Sequence, residues 1–139
     1  MPSFRTTRRI EFVDTDMAGI VHFSNFFRFM EAAEVSFLQV LGLSVRMEWE
    51  GQAIGFPRVA AACDFLRPVR FEDVVDIAVI VDNVGRKSVA YSFEFSHAGH
   101  AVARGKVTTC CCRVLSGHRL EAIEIPEAIR GKLLGAKGQ

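Results

Sequence analysis

Residues 13–27, VDTDMAGIVHFSNFF, set two carboxylates, Asp14 and Asp16, just ahead of a glycine, a histidine and an apolar run. From about residue 23 to residue 41, Phe26, Met30, Ala33, Phe37 and Leu41 recur at helical spacing, and Gly42 follows as a stop. Phe27, Phe29, Val35, Leu38 and Val40 lie on other sides of the same helix. Only a narrow strip carrying Arg28, Ala32 and Gln39 is left for water. A helix this apolar must be nearly surrounded by the rest of the chain, and that requirement decides the architecture.

Working outward, residues 4–13, FRTTRRIEFV, read as a strand that breaks into the Asp-Thr-Asp turn. Beyond the helix comes a polar loop, then strand-like runs at 57–66, 74–84, 88–96 and 101–115. The third run is the clearest, because Val89, Tyr91, Phe93 and Phe95 alternate with Ser88, Ala90, Ser92, Glu94 and Ser96. Short turns at 82–86 and 97–100 join the last three runs as hairpins, with too little chain between strands for helical crossovers. The sheet is therefore expected to be antiparallel. Residues 125–135, IPEAIRGKLLG, suit a short closing helix with Pro126 in its first turn. The predicted fold is α+β, a curved antiparallel five-stranded sheet wrapped around a long central helix. With no repeat, low-complexity tract or linker, residues 1–139 read as one domain.

Composition narrows the function classes. Hydrophobic residues make up 50% and charged residues 24% of the chain, values that suit a globular domain. Twelve phenylalanines are an excess, which suits a large core or an apolar binding slot. The formal net charge of +1, with acids and bases mixed, offers no basic footprint for nucleic acid. No apolar run approaches the roughly 20 residues of a membrane span, and MPSFRTTRRIEF lacks the apolar segment of a secretory signal. The expected location is the cytoplasm, with no membrane partner. Cys63 and the run Cys110, Cys111, Cys112 have no paired metal-ligand spacing and read as reduced, packed thiols.

Three stretches carry a resemblance to a known family. DTDMAGIVHFSNFFRFMEAAE, FLRPVRFEDVVDI and GRKSVAYSFEF resemble the hotdog-fold acyl-CoA thioesterases, in particular the 4-hydroxybenzoyl-CoA thioesterase type and its short-chain relatives. The likeness spans nearly the whole chain, and its first stretch is the most specific. It implies a hotdog fold and hydrolysis of an aromatic or short to medium acyl-CoA. The position matching the family's catalytic carboxylate is Asp16, and the backbone N–H matching its carbonyl-polarising donor is that of Phe23. Asp14 matches a variable position. Glu31 stands where the 4-hydroxybenzoyl type has an Asp and other acyl-CoA relatives have Glu. Arg86, Lys87 and Ser88 match a hairpin that approaches the nucleotide end of coenzyme A.

The residues themselves allow both functional and plain readings. A thioester is already activated, so hydrolysis needs a base or nucleophile, an oxyanion donor and room for the thiol to leave; no metal or separate cofactor is required, coenzyme A being part of the substrate. Asp16 could attack the carbonyl or deprotonate water, and unpaired N–H groups at the helix start could hold the oxyanion. Gly19 lets the backbone come close. Either aspartate could instead cap a turn, the reading preferred for Asp14. His22 could touch substrate or serve as a local hydrogen-bond partner. Glu31 could shape the acyl slot or join an ion pair, while Glu34 is expected to pair with Arg28 or with a neighbouring subunit's arginine. Arg86, Lys87 and Ser88 could be a solvated hairpin or a phosphate site. One hotdog leaves a sheet edge open, which predicts a homodimer, and a dimer of dimers beyond it, with active sites at the interface. An acyl-carrier-protein thioesterase, a noncatalytic acyl-thioester-binding protein and a hotdog dehydratase are the rival readings.

Overall fold

Alternation along the third run places Val89, Tyr91, Phe93 and Phe95 on one face of β6 (Ser88–His97), each no more than 2% exposed. In the computed structural model, which describes residues 2–137, β6 is the middle of the main sheet. It pairs antiparallel with β5 (Val74–Val84) on one side and β7 (His100–Cys110) on the other. β1 (Phe4–Arg9) adds beyond β5 and β4 (Arg58–Phe65) beyond β7, giving the order β1-β5-β6-β7-β4. Register shifts between Val81 and Asn83, and between Arg58 and Ala60, mark bulges that increase local twist and bend. The predicted five-stranded antiparallel sheet and central helix are both present.

The helix is α1 (Asn25–Val40), and it lies on the apolar face of this sheet. Phe26 meets Phe95 edge to face at 5.4 Å, and Phe37 meets Tyr91 at 6.2 Å. Each fully buried phenyl contributes roughly 1.5–3 kcal/mol relative to leaving it in water. Helix and sheet approach closely at Gly105: a Cβ there would overlap the thioether of Met30, which is fully buried and would have to shift. The helix stops as expected at Gly42, where the Gly42 and Leu43 N–H groups return to the Gln39 and Leu38 carbonyls. Its solvent strip does carry Arg28, Ala32 and Gln39, and is wider than predicted, since Glu31 and Val40 are exposed as well.

Three local expectations are corrected. The first strand ends at Arg9, and residues Phe12–Asp14 form a 3-10 turn instead of its continuation. The polar loop after α1 is a hairpin of β2 (Arg46–Trp49) and β3 (Gln52–Gly55). The last run, 101–115, divides at Cys111, whose N–H donates to the Lys87 carbonyl at 2.6 Å. Its far part is β8 (Cys112–Val114), which joins β2, β3 and β9 (Leu120–Ala122) in a second sheet of order β2-β3-β8-β9. The closing helix is α2 (Glu127–Lys137), packed through Ile129 and Leu133. All four cysteines are free thiols, and burial pushes the Cys63 and Cys111 pKa values up to about 11.

Glu34 is buried on α1 and pairs with Arg58 of its own chain, correcting the expected partners. Its Oε1 accepts from Arg58 Nε at 3.1 Å and Nη2 at 2.8 Å, tying the start of β4 to the helix. Burial raises the Glu34 carboxyl above its ordinary value, and Arg58 only partly offsets this. An acid with a higher pKa in the folded chain holds more protons folded than unfolded between the two values, so stability falls as pH rises across that window. We expect urea unfolding midpoints to decline as pH rises from about 4.5 through the elevated Glu34 value. Glu34→Gln should flatten that part of the profile.

Candidate active site

The loop from β1 to α1 separates its two aspartates into different jobs. Asp14 is buried; its carboxylate accepts from Arg8 Nη2 at 3.2 and 3.1 Å and from the Glu11 N–H at 2.8 Å. Its carbonyl accepts the His22 N–H at 2.9 Å and Asn25 Nδ2 at 2.8 Å. Asp14 thus fastens β1 to the first residue of α1, in line with its structural reading.

Asp16 sits two residues on, half-buried, in a turn closed by its N–H to the Ile20 carbonyl at 2.8 Å and by the Gly19 N–H to its own carbonyl at 2.9 Å. Gly19 has φ +80°, a conformation that suits glycine and keeps this turn tight. The Ala18 N–H donates to Asp16 Oδ1 at 2.8 Å. Asp16 Oδ2 has no hydrogen-bond partner among the described residues, so one oxygen holds the turn and the other is uncommitted. A bridge between Thr15 and Val21 folds this turn back onto the chain entering the helix.

At the helix head, the His22 N–H is taken by Asp14 and the Ser24 N–H points to His22 Nδ1 at 3.3 Å. Between them, the Phe23 N–H has no acceptor among the described residues. Phe23 lies in the turn just before α1, where the helix dipole is positive. His22 Nδ1 shares a local hydrogen bond with Ser24 Oγ at 2.8 Å, and its ring stacks on Phe23 at 4.7 Å. Beside this head is a cavity of about 310 Å³ walled by Val21, Phe23, Phe26, Phe65, Arg67 and Val69, among others. Phe26, Phe65 and Arg67 were not assigned to a site from sequence. Their gathering depends on β4 and the segment after it lying against the loop, with the Val21 N–H on the Val69 carbonyl at 2.8 Å and Ile20 bridged to Arg70.

The remaining candidates lie apart. Glu31 is exposed on α1, roughly 9 Å along the axis from its first residue. Arg86 and Lys87 lie in the β5–β6 turn and Ser88 opens β6, whereas the Asp16 loop follows Arg9, which pairs with Val74 at the other end of β5. Eleven residues of strand separate those ends, on the order of 30 Å. The hairpin is braced from α2, because Arg130 donates to the Val84, Gly85 and Arg86 carbonyls at 3.3, 2.6 and 3.1 Å. Arg86 is ion-paired with Glu124, whose carboxyl it holds below the ordinary range, while Lys87 is exposed with no ion pair among the described residues. One chain therefore does not bring the hairpin to the helix head. Among the described residues, no cluster of three or more His, Cys, Asp or Glu side chains is arranged to hold a metal, and no helix is long and apolar enough to cross a membrane.

The chain thus wraps a long helix in an antiparallel sheet, with an unpaired amide at the helix head and a half-committed carboxylate in the preceding loop. Residues 10–133 match the model of the thioesterase-like superfamily, and the chain belongs to that family. It is 31% identical to a 4-hydroxybenzoyl-CoA thioesterase of Pseudomonas sp. strain CBS-3, over 89% of this chain and 92% of that protein. It is 29% identical to a 1,4-dihydroxy-2-naphthoyl-CoA hydrolase of Nostoc punctiforme, over 86% of this chain and 80% of that protein. A solved gentisyl-coenzyme A thioesterase superposes with a TM-score of 0.81 at 30% identity, covering 94% of this chain and 99% of that one.

The Asp14 geometry yields a direct test. Asp14→Asn keeps the shape but removes the charge facing Arg8, so unfolding free energy should fall by roughly 1–3 kcal/mol. Urea denaturation of the variant measures this, and an unchanged midpoint would show that the clamp contributes nothing.

Proposed function

We propose that this chain hydrolyses an aromatic acyl-CoA to the free acid and coenzyme A. The observation that carries this is the unpaired Phe23 N–H at the helix head, beside a loop whose Asp16 keeps one oxygen uncommitted. The thioester carbonyl oxygen would take the Phe23 N–H, and the positive end of α1 would stabilise the oxyanion as it forms. Asp16 Oδ2 then either bonds to the carbonyl carbon while the C–S bond breaks, giving an anhydride that water cleaves, or takes a proton from water that attacks directly. In both routes the thiolate leaves and is protonated by solvent. Gly19 shapes the turn that presents Asp16, and His22 orders the helix head through Ser24. Support for the acyl class comes from the relatives, whose names specify hydroxybenzoyl, gentisyl and dihydroxynaphthoyl thioesters.

The working unit in this reading is a homodimer, and any further pairing into a tetramer uses surfaces away from β4. β4 is an edge strand with most of its residues exposed. Its Phe65 end lies at the helix head beside Phe23, and its Arg58 end lies toward the β5–β6 turn. Two β4 edges paired antiparallel about a twofold axis would bring each hairpin end toward the other copy's helix head. Arg86, Lys87 and Ser88 would then meet coenzyme A phosphates bound mainly to the partner, and Glu31 would face the acyl end of the shared slot. A carrier-protein thioester is the second reading, favoured by exposed Arg28 and Arg70, which have no ion-pair partner among the described residues. Turnover of one acyl group on coenzyme A and on an acyl carrier protein separates the two.

A hydrolysis screen over benzoyl, hydroxybenzoyl, phenylacetyl and linear acyl-CoA thioesters tests the activity. Asp16→Asn should lower kcat by at least about 100-fold, with thermal unfolding unchanged. A folded Asp16→Asn protein with normal turnover would refute the mechanism. Neutralising Arg86 and Lys87 together should raise KM for a coenzyme A ester up to about tenfold, with added salt imitating part of the loss. The matching pantetheine thioester should be little affected, and equal losses on both would place the nucleotide elsewhere.

A further inference from the structure

Among the described residues lining the helix-head cavity, Arg67 is the one charged side chain; the others named with it are apolar. No carboxylate among the described residues pairs with it. Its backbone is held on both sides. The Leu66 and Arg67 N–H groups share the Val102 carbonyl at 2.8 and 3.1 Å, Pro68 restricts the next step, and Val69 accepts the Val21 N–H at 2.8 Å. Arg67 itself is exposed, in a bend just past the end of β4, and stands among the residues that wall the cavity, whereas Val69 two positions on is buried. A guanidinium in these surroundings has strong, directional donors and nothing on its own chain to receive them.

Which anion it meets follows from reach. Arg67 and Phe23 wall the same cavity of about 310 Å³, so an acyl group whose carbonyl sits on the Phe23 N–H and which fills that cavity meets the Arg67 side of its wall. The pantetheine arm of coenzyme A, extended to roughly 15 Å by the reach of a comparable chain, carries the phosphates well beyond that distance. We propose that Arg67 is a specificity-determining residue that pairs with an anionic oxygen substituent, a carboxylate or an ionised hydroxyl, on an aromatic acyl group seated in the cavity. This rests on the acyl-CoA reading above and extends it from the reacting thioester to the decoration of the ring.

The test uses nonhydrolysable ketone analogues, so it does not depend on turnover. Calorimetry would compare phenacyl-CoA, its ring-carboxylated and ring-hydroxylated forms, and phenacyl-pantetheine on the wild-type protein, Arg67→Gln and Arg67→Lys. The wild type should bind the ring-carboxylated analogue about tenfold more tightly than phenacyl-CoA, the worth of one charge-assisted contact. Arg67→Gln should erase that preference and leave phenacyl-CoA affinity unchanged, while Arg67→Lys keeps part of it. Thermal unfolding should be the same for all three proteins. The proposal is overturned if Arg67→Gln leaves the preference intact, or weakens every analogue equally. It is also overturned if phenacyl-CoA binding is lost and phenacyl-pantetheine binding is spared, which would assign Arg67 to phosphate. Benzoyl-CoA hydrolysis by the wild type, assayed alongside, reports separately on the proposed activity.

Discussion

A 16-residue helix with apolar side chains around most of its circumference has no stable place in water, and the rest of the fold answers that constraint. Phe26, Phe29, Met30, Ala33, Phe37 and Leu38 are all buried, so α1 needs a sheet broad enough and bent enough to cover more than one side. The bulges in β5 and β4 supply local bending, and Gly105 lets helix and sheet approach where any side chain would collide with Met30. The Glu34–Arg58 pair adds a charged tie within the same interface. Because buried helix and sheet pack against one another, the head of α1 is held in place by the core through Phe26 and by the Asn25 side chain on the Asp14 carbonyl.

That fixed head gives meaning to the neighbouring aspartates. Asp14 spends its carboxylate on Arg8 and Glu11, and its carbonyl on His22 and Asn25, leaving nothing for a substrate. Asp16 spends one oxygen on its turn and keeps the other. Consuming the His22 and Ser24 amides locally leaves the Phe23 N–H as the donor with no protein acceptor among the described residues. The proposed chemistry uses what the structural bonds leave over, an economy that also explains why two acids stand so close in the chain. The same division continues on the facing segment, where Val69 closes the loop and Arg67 remains unpaired at the cavity wall.

Sheet geometry imposes a further condition on the proposed site. Helix head and basic hairpin occupy opposite ends of β5, so no rearrangement of surface side chains can bring them together within one copy. In the proposed dimer, a second copy on the exposed β4 edge, which runs between the same two ends, would reverse the direction and close that gap. Bracing of the hairpin by Arg130 from α2 would keep its backbone in position for such a shared site.

The amino-acid sequence by itself determined the central helix, its stop at Gly42 and the long antiparallel strands, because 3.6-residue and two-residue periodicities record which face each element buries. Asp16 and the Phe23 amide were pointed to by the family resemblance that a compact motif carries, its parts being neighbours in the chain; the residues alone left both aspartates open to capping. The second sheet was not legible: RMEW and QAIG are too short for alternation to stand out, and the split at Cys111 depends on a bond to Lys87. Nor was the cavity legible, since Phe65, Arg67 and Val69 meet Val21, Phe23 and Phe26 only when distant segments pair. Tertiary structure alone decided that Asp14 is a clamp, that Glu34 finds Arg58, and that hairpin and helix head stand far apart. Local pattern encodes which way a side chain faces; which group it then meets is fixed only by how the elements pack.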